Sequence, residues 1–161
     1  LSKNKLILIT GSNQGNPSWQ VLRAKQLIST NIGEIMRSSK LYQTQAWGNE
    51  DQDYYINQAL LVETLLPPKL CLAKCLEIES QMGRVRIEKW APRLIDIDII
   101  FYNNLNFTSP KLIIPHPHIQ DRNFALVCLN DIIPRFIHPK LKKNVKTLLG
   151  NCKDKLEVKE L

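Results

Sequence analysis

The stretch Ile95-Asp96-Ile97-Asp98-Ile99-Ile100-Phe101 decides the architecture of this chain. Its β-branched residues alternate with two carboxylates and Asn103-Asn104 supplies a turn behind it, so it reads as a strand. Side chains along a strand leave opposite faces in turn, which puts Asp96 and Asp98 on one face and Ile95, Ile97 and Ile99 on the other. The two aspartate Cα atoms then lie about 7 Å apart, close enough that joint ionisation is costly unless a cation sits between them. A small set of hard oxygen donors favours Mg²⁺, which keeps several waters and takes its remaining ligands from phosphates. On spacing alone, the pair reads equally well as the solvent face of an edge strand. Arg84, Arg86, Lys89 and Arg93 stand immediately upstream and turn the reading toward phosphate chemistry. Arginine forks grip phosphate oxygens, and Mg²⁺ with arginines is the recurrent means of neutralising charge in phosphoryl transfer.

Working outward, residues 5–10 read as a buried strand that runs into the turn-rich Gly11-Ser12-Asn13-Gln14-Gly15. Asn16 and Pro17 form a helix start, a capping side chain followed by proline in the first turn. Val21, Leu22, Ala24, Leu27 and Ile28 then recur at helical spacing, with an end expected near residues 31–33. Residues 35–44 and 55–63 are extended and are expected to pair as one long hairpin around the polar loop between them. Pro67-Pro68 opens a second helix, with Leu70, Ala73, Leu76 and Ile78 on or near one face and Gly83 as its stop. The order is βαββαβ, an α+β, ferredoxin-like arrangement with helices on one face of an antiparallel sheet. Beyond Leu105 the pattern predicts short strands, a helix over about 122–130 and a short helix over 144–149. A tail expected to fray starts near residue 151.

At 161 residues the chain has the length of one domain, 1–161, able to bury a core without disulfides. With 43% apolar and 23% charged residues, disorder and fibrous structure are excluded. The apolar run Leu6-Ile7-Leu8-Ile9 is far too short for a signal-peptide core or a membrane span, so no membrane partner and a cytoplasmic location are expected. Cys71, Cys75, Cys128 and Cys152 lack the spacing of a disulfide framework or a zinc site, which suits a reducing compartment. The net charge of +7 calls for a polyanionic partner, although the lysines between residues 140 and 159 read as a solvated face. Neither G-x-x-x-x-G-K-[ST] nor G-x-G-x-x-G occurs, so phosphates must be held without the usual glycine-rich loops.

Lys89-Trp90-Ala91-Pro92-Arg93-Leu94-Ile95-Asp96-Ile97-Asp98-Ile99-Ile100 closely resembles the signature of the 6-hydroxymethyl-7,8-dihydropterin pyrophosphokinases of folate biosynthesis. The resemblance extends to Gly11-Ser12-Asn13, Tyr42 with Thr44, Tyr55 with Asn57, Glu79 with Gly83-Arg84-Val85-Arg86, and Pro115-His116 with Arg122 and Phe124, in the family's order. It implies a ferredoxin-like monomeric enzyme that transfers pyrophosphate from ATP to the hydroxymethyl group of a reduced pterin, releasing AMP. It further implies that Asp96 and Asp98 bind two Mg²⁺ ions. Arg84, Arg86, Trp90 and Arg93 would be catalytic, with Arg86 and Trp90 on a loop that closes over the nucleotide. ATP would also meet Glu79, Ile99, Lys111, His116 and Arg122. The pterin would meet Thr44, Ala46, Trp47 and Asn57, its ring sandwiched between Tyr55 and Phe124, an arrangement that combines stacking with amide recognition of the ring edge.

This chain departs from the family pattern in four places. Gln45-Ala46-Trp47 replaces two prolines and a leucine, Lys89 replaces a common arginine and so keeps the charge without the fork, and Lys111 stands where arginine can occur. The segment between Arg86 and Trp90 is also one residue shorter than in some relatives. Two other readings compete. An RNA-binding module of the same fold needs aromatic motifs on its central strands, where this chain has Leu6-Ile7-Leu8-Ile9 and paired aspartates, so no nucleic-acid partner is expected. A different Mg²⁺-dependent phosphotransferase or phosphatase would leave Tyr55, Asn57 and Phe124 without a role.

Overall fold

The strand around the paired aspartates forms as β5, Asp96–Tyr102, in a computed structural model that describes residues 2–45, 54–83 and 94–161. Before it come β1 (Asn4–Ser12), α1 (Pro17–Asn31), β2 (Glu34–Ser38), β3 (Tyr42–Thr44), β4 (Tyr55–Thr64) and α2 (Pro68–Gln81). After it come β6 (Phe107–Thr108), β7 (Ile113–Ile114), α3 (Asn123–Ile132), α4 (Val145–Asn151) and β8 (Val158–Glu160). The main sheet runs β5-β1-β4-β3-β8, with β2 also on β4, and every pairing is antiparallel. Over its first five strands this is the ferredoxin-like order expected from the βαββαβ succession.

The expected hairpin is divided. β2 and β3 pair in turn along β4, and Ser39 bridges the gap between them: its amide donates to the Ala59 carbonyl at 2.9 Å and its hydroxyl accepts from the Ala59 amide at 2.8 Å. β1 outlasts its expected end, because Gly11 and Ser12 continue the ladder opposite Asn57 and Ile56. α1 starts as read, with the Asn16 side chain accepting from the Trp19 amide at 3.1 Å and Pro17 in the first turn.

The two helices of the βαββαβ core, α1 and α2, lie on one face of the sheet as expected, and α3 and α4 cover the other; what is corrected is which residues of α2 face inward. Leu6, Leu8, Val62, Ile97 and Ile99 pack under α1 and α2, while Ile7, Ile9, Ala59 and Phe101 pack under α3 and α4. The cause lies in β1, whose unbroken run Leu6-Ile7-Leu8-Ile9 is apolar on both sides and has to be covered on both. A register shift opposite Ile7 and Leu8 gives β5 an extra residue, so that Ile100 and Phe101 both reach the second core. α2 buries Cys71, Cys75, Ile78 and Glu79, and leaves Leu70 and Leu76 42% and 40% exposed. The small thiols let the helix lie close to the sheet, and burial pushes the Cys71 thiol up to about 11.

The tail expected to fray from residue 151 does not fray. After α4 the chain runs along the surface and ends as β8, which pairs antiparallel with β3 as Tyr42↔Glu160 and Thr44↔Val158. One sheet thus takes strands from residue 4 to residue 160. No helix among the described residues is long and apolar enough to cross a membrane.

Gly33 joins α1 to β2 where the chain passes close to β4, since a Cβ there would run into the Glu63 carbonyl oxygen. That contact is with backbone, which cannot step aside. Gly33→Ala is expected to lower the unfolding free energy by about 3 kcal/mol, read as a fall in the urea midpoint at unchanged slope.

Candidate active site

The ends of four strands meet at one rim of the sheet, and the register fixes which residues share a face. Gly11 lies opposite Asp96 on one side and Asn57 on the other; Asn57 lies opposite Tyr42, Tyr55 opposite Thr44, and Ile9 opposite Asp98. Cross-strand partners project to the same side, so Asp96, Asp98, Asn57, Tyr55 and Thr44 all stand on the α3 face. α3 covers that face only below Ile9 and Ala59. Above them a cavity of about 510 Å³ is left. Ile9, Gly11 and Asn57 form its floor, Asp96 and Asp98 one side, and Thr44, Gln45 and Tyr55 the other. Arg122 and Phe124 at the start of α3, together with His118, Asp121 and Leu156, complete the lining.

Asn57 and Thr44 are 5% exposed each, and the Asn57 amide donates to the Thr44 hydroxyl at 3.1 Å. A buried, tethered amide presents a fixed hydrogen-bonding edge. Gly11 makes room for it, because a Cβ at Gly11 would sit 2.6 Å from Asn57 Oδ1. Under this floor Tyr42 braces β3 against α3 by donating its hydroxyl hydrogen to the Asp131 carboxylate, with oxygens at 2.8 and 2.9 Å. Burial and then that carboxylate push the Tyr42 phenol well above its ordinary value, so it stays a donor.

The opposite side is ionic. Asp96 is half-buried and Asp98 exposed, two carboxylates of one strand at the cavity wall, with the Arg122 cation in the same lining. These hard oxygen donors, few and open to the cavity, fit a Mg²⁺ ion that would complete its shell from water and phosphate. No group of three or more His, Cys, Asp or Glu side chains among the described residues forms a denser metal cage.

Of the described residues expected at ATP, Ile99, Glu79, Lys111 and His116 are not in the lining of this cavity. The Ile99 side chain is buried on the opposite face of β5 under α2, because odd-numbered residues there face away from the aspartates. Glu79 is 3% exposed on α2 and accepts the Ile97 amide hydrogen at 3.1 Å, so it holds β5 in place from behind. Lys111 is exposed and outside the cavity lining. His116 also lies just outside it, with its amide on the Ile100 carbonyl at 3.0 Å and its Nδ1 accepting from the His118 amide at 3.2 Å. Burial first, then Arg122 and His118, bring its imidazole down to about 4. His118, two residues on, lines the cavity. Arg84, Arg86, Lys89, Trp90 and Arg93, and Ala46 and Trp47, lie outside the described residues. The described residues break off after Gln45, in the cavity lining, and again between Gly83 and Leu94, which stands two residues before Asp96.

The family model for 7,8-dihydro-6-hydroxymethylpterin-pyrophosphokinase matches residues 7–134, which hold all of these site residues except Leu156. The chain belongs to this family. It is 36% identical, over 79% of its length, to the 2-amino-4-hydroxy-6-hydroxymethyldihydropteridine pyrophosphokinase of Methylorubrum extorquens, 81% of which it covers. The protein of the same name from Aquifex aeolicus is 36% identical over 84% of either chain. A folic acid synthesis protein of Dictyostelium discoideum is 38% identical over 86% of this chain, which spans 21% of that longer protein. A solved HPPK-DHPS of Plasmodium falciparum superposes with a TM-score of 0.72 over 92% of this chain and 44% of its own, at 18% identity, a likeness of fold. As a member of the family the chain is a pyrophosphokinase of folate biosynthesis.

Two outcomes test this geometry. Gly11→Ala meets only the end of the Asn57 side chain, so it is expected to fold normally yet to move the amide and raise the KM for the pterin about tenfold. His116 has a folded pKa below its unfolded value, so its contribution to stability is present above about pH 6.5 and lost as pH falls toward 4. Urea midpoints of the ligand-free protein should therefore decline over that window, and less steeply in His116→Gln.

Proposed function

We propose that this cavity carries out the family's transfer by holding a pterin between Tyr55 and Phe124 and the ATP triphosphate along Asp96 and Asp98. The observation that carries the reading is the row Asp96-Gly11-Asn57 across three strands, which sets an ionic wall beside a buried amide with only a glycine between them. Asn57 and Thr44 read the hydrogen-bonding edge of the pterin, and the two aromatic rings hold its faces. Its hydroxymethyl group then lies toward the aspartates.

Arg122 and His116 meet phosphate oxygens on the near side, and Arg84 and Arg93 meet them from the upstream segment. Arg86 and Trp90, outside the described residues, are the further nucleotide contacts that the family resemblance implies for that segment. Glu79 acts through β5, keeping the two carboxylates at their spacing. His116, neutral near pH 7, serves as a hydrogen-bond donor through Nε2, since its Nδ1 is already an acceptor. Asp96 and Asp98 would hold two Mg²⁺ ions, which when bound screen the triphosphate charge.

The pterin hydroxyl oxygen forms a bond to the β-phosphorus while the bond from that phosphorus to the α,β-bridging oxygen breaks; AMP leaves with that oxygen and the hydroxyl proton passes to solvent. The chain supplies positioning and charge complementarity more than proton transfer. The buried free cysteines Cys71, Cys75 and Cys128 suit a reducing, cytoplasmic setting, and the basic charge suits a nucleotide substrate.

Incubation with ATP, Mg²⁺ and 6-hydroxymethyl-7,8-dihydropterin should yield AMP and the pterin diphosphate, resolved by chromatography. Asp96→Ala and Asp98→Ala are expected to lower kcat/KM about a thousandfold while leaving the thermal unfolding midpoint near that of the parent. ADP in place of AMP, or nucleotide turnover that ignores the pterin, would reject the reading in favour of another phosphotransferase.

A further inference from the structure

The chain after α4 builds one wall of the cavity. From Cys152 to Val158 the even-numbered residues are half-buried and the odd-numbered ones exposed, so this extended run keeps one side against the body of the protein. Asp154 anchors it. One carboxylate oxygen accepts the Asn123 amide hydrogen at 3.1 Å and the other accepts that of Leu156 at 3.0 Å. Asn123 is the first residue of α3, whose N-cap residue Arg122 makes no side-chain bond to the helix. The cap is instead a carboxylate delivered from 31 residues further along, which satisfies an end amide and complements the positive end of the helix.

That first turn carries Arg122 and Phe124, both in the cavity lining. Leu156 lines the cavity directly, and Val158 pairs with Thr44 and packs against the second core. A single short segment therefore touches the placement of Phe124, the cavity side at Leu156 and the strand that presents Thr44.

We propose that Leu156 is a specificity residue for the flat acceptor and Asp154 a positioning residue that acts through the first turn of α3. This rests on the assignment of this part of the cavity to the pterin. Leu156 supplies apolar surface where Thr44 and Asn57 supply polar groups, so it favours a planar heterocycle over a fully hydrated acceptor. Asp154 sets where the Phe124 ring stands, and any oxygen acceptor at its position keeps part of that function.

The test is steady-state kinetics on the full chain and on Leu156→Ala, Asp154→Ala and Asp154→Asn, varying pterin and ATP separately, with thermal unfolding of each variant. Leu156→Ala should raise the KM for the pterin about tenfold, with kcat and the KM for ATP each changed by less than about twofold. Asp154→Ala should shift the same parameter, and Asp154→Asn should recover most of it. An unchanged pterin KM in a Leu156→Ala protein that unfolds at the parent's temperature overturns the proposal, as does an equal rise in both KM values. If the parent turns over but the variants match it, the wall alone is wrong. If the parent makes no AMP from this pterin, the functional assignment is wrong and the wall falls with it.

Discussion

The register of β1 between β4 and β5 is the constraint on which the rest of the molecule depends. β1 is buried on both faces, with Leu6 and Leu8 turned to α1 and α2 and Ile7 and Ile9 turned to α3. Slipping it by one residue would exchange those faces and expose a full set of apolar side chains on each side. The same register places Gly11 between Asp96 and Asn57. A position without a side chain falls where two functional side chains need the space, so the interaction that specifies the fold also spaces the site.

The cavity exists because the second face is incompletely covered. α3 spans ten residues and packs over Ile9, Ala59 and Tyr42, stopping short of the strand ends. The rim left open collects groups that would be expensive elsewhere: two carboxylates side by side, an arginine, and an amide buried to 5% exposure. Each is supported from behind. Glu79 holds the Ile97 amide, Asp131 holds Tyr42, and Asp154 holds the first turn of α3. All three are acidic side chains that stand outside the cavity lining and act on its supports.

Much of the local structure was legible. Asn16 and Pro17 start α1, Gly83 with its φ of +95° follows α2, and Asn103 with its φ of 48° turns the chain after β5. These are local signals, set by one or two residues and their own backbone. The misreadings share a different character. Leu70 and Leu76 outrank Cys71 and Cys75 in size, and only the closeness of α2 to the sheet shows that the small thiols face inward. The tail reads as lysine-rich and solvated, yet its alternation from Cys152 to Val158 is a strand-like pattern that two lysines on the outer side obscure.

Sequence by itself determined the element order and the facing of Asp96 and Asp98, because alternation and capping depend on neighbours along the chain. It also carried the family signature, from Gly11 through Phe124. Only the tertiary structure decided that helices lie on both faces, that the Ile99 side chain packs under α2 while Glu79 takes the Ile97 amide, and that His118, Asp121 and Leu156 line the cavity. Those facts depend on which distant segments meet across the sheet. Asp154 capping a helix that begins 31 residues earlier leaves no mark in its own neighbourhood, since the amide it satisfies is brought to it by folding.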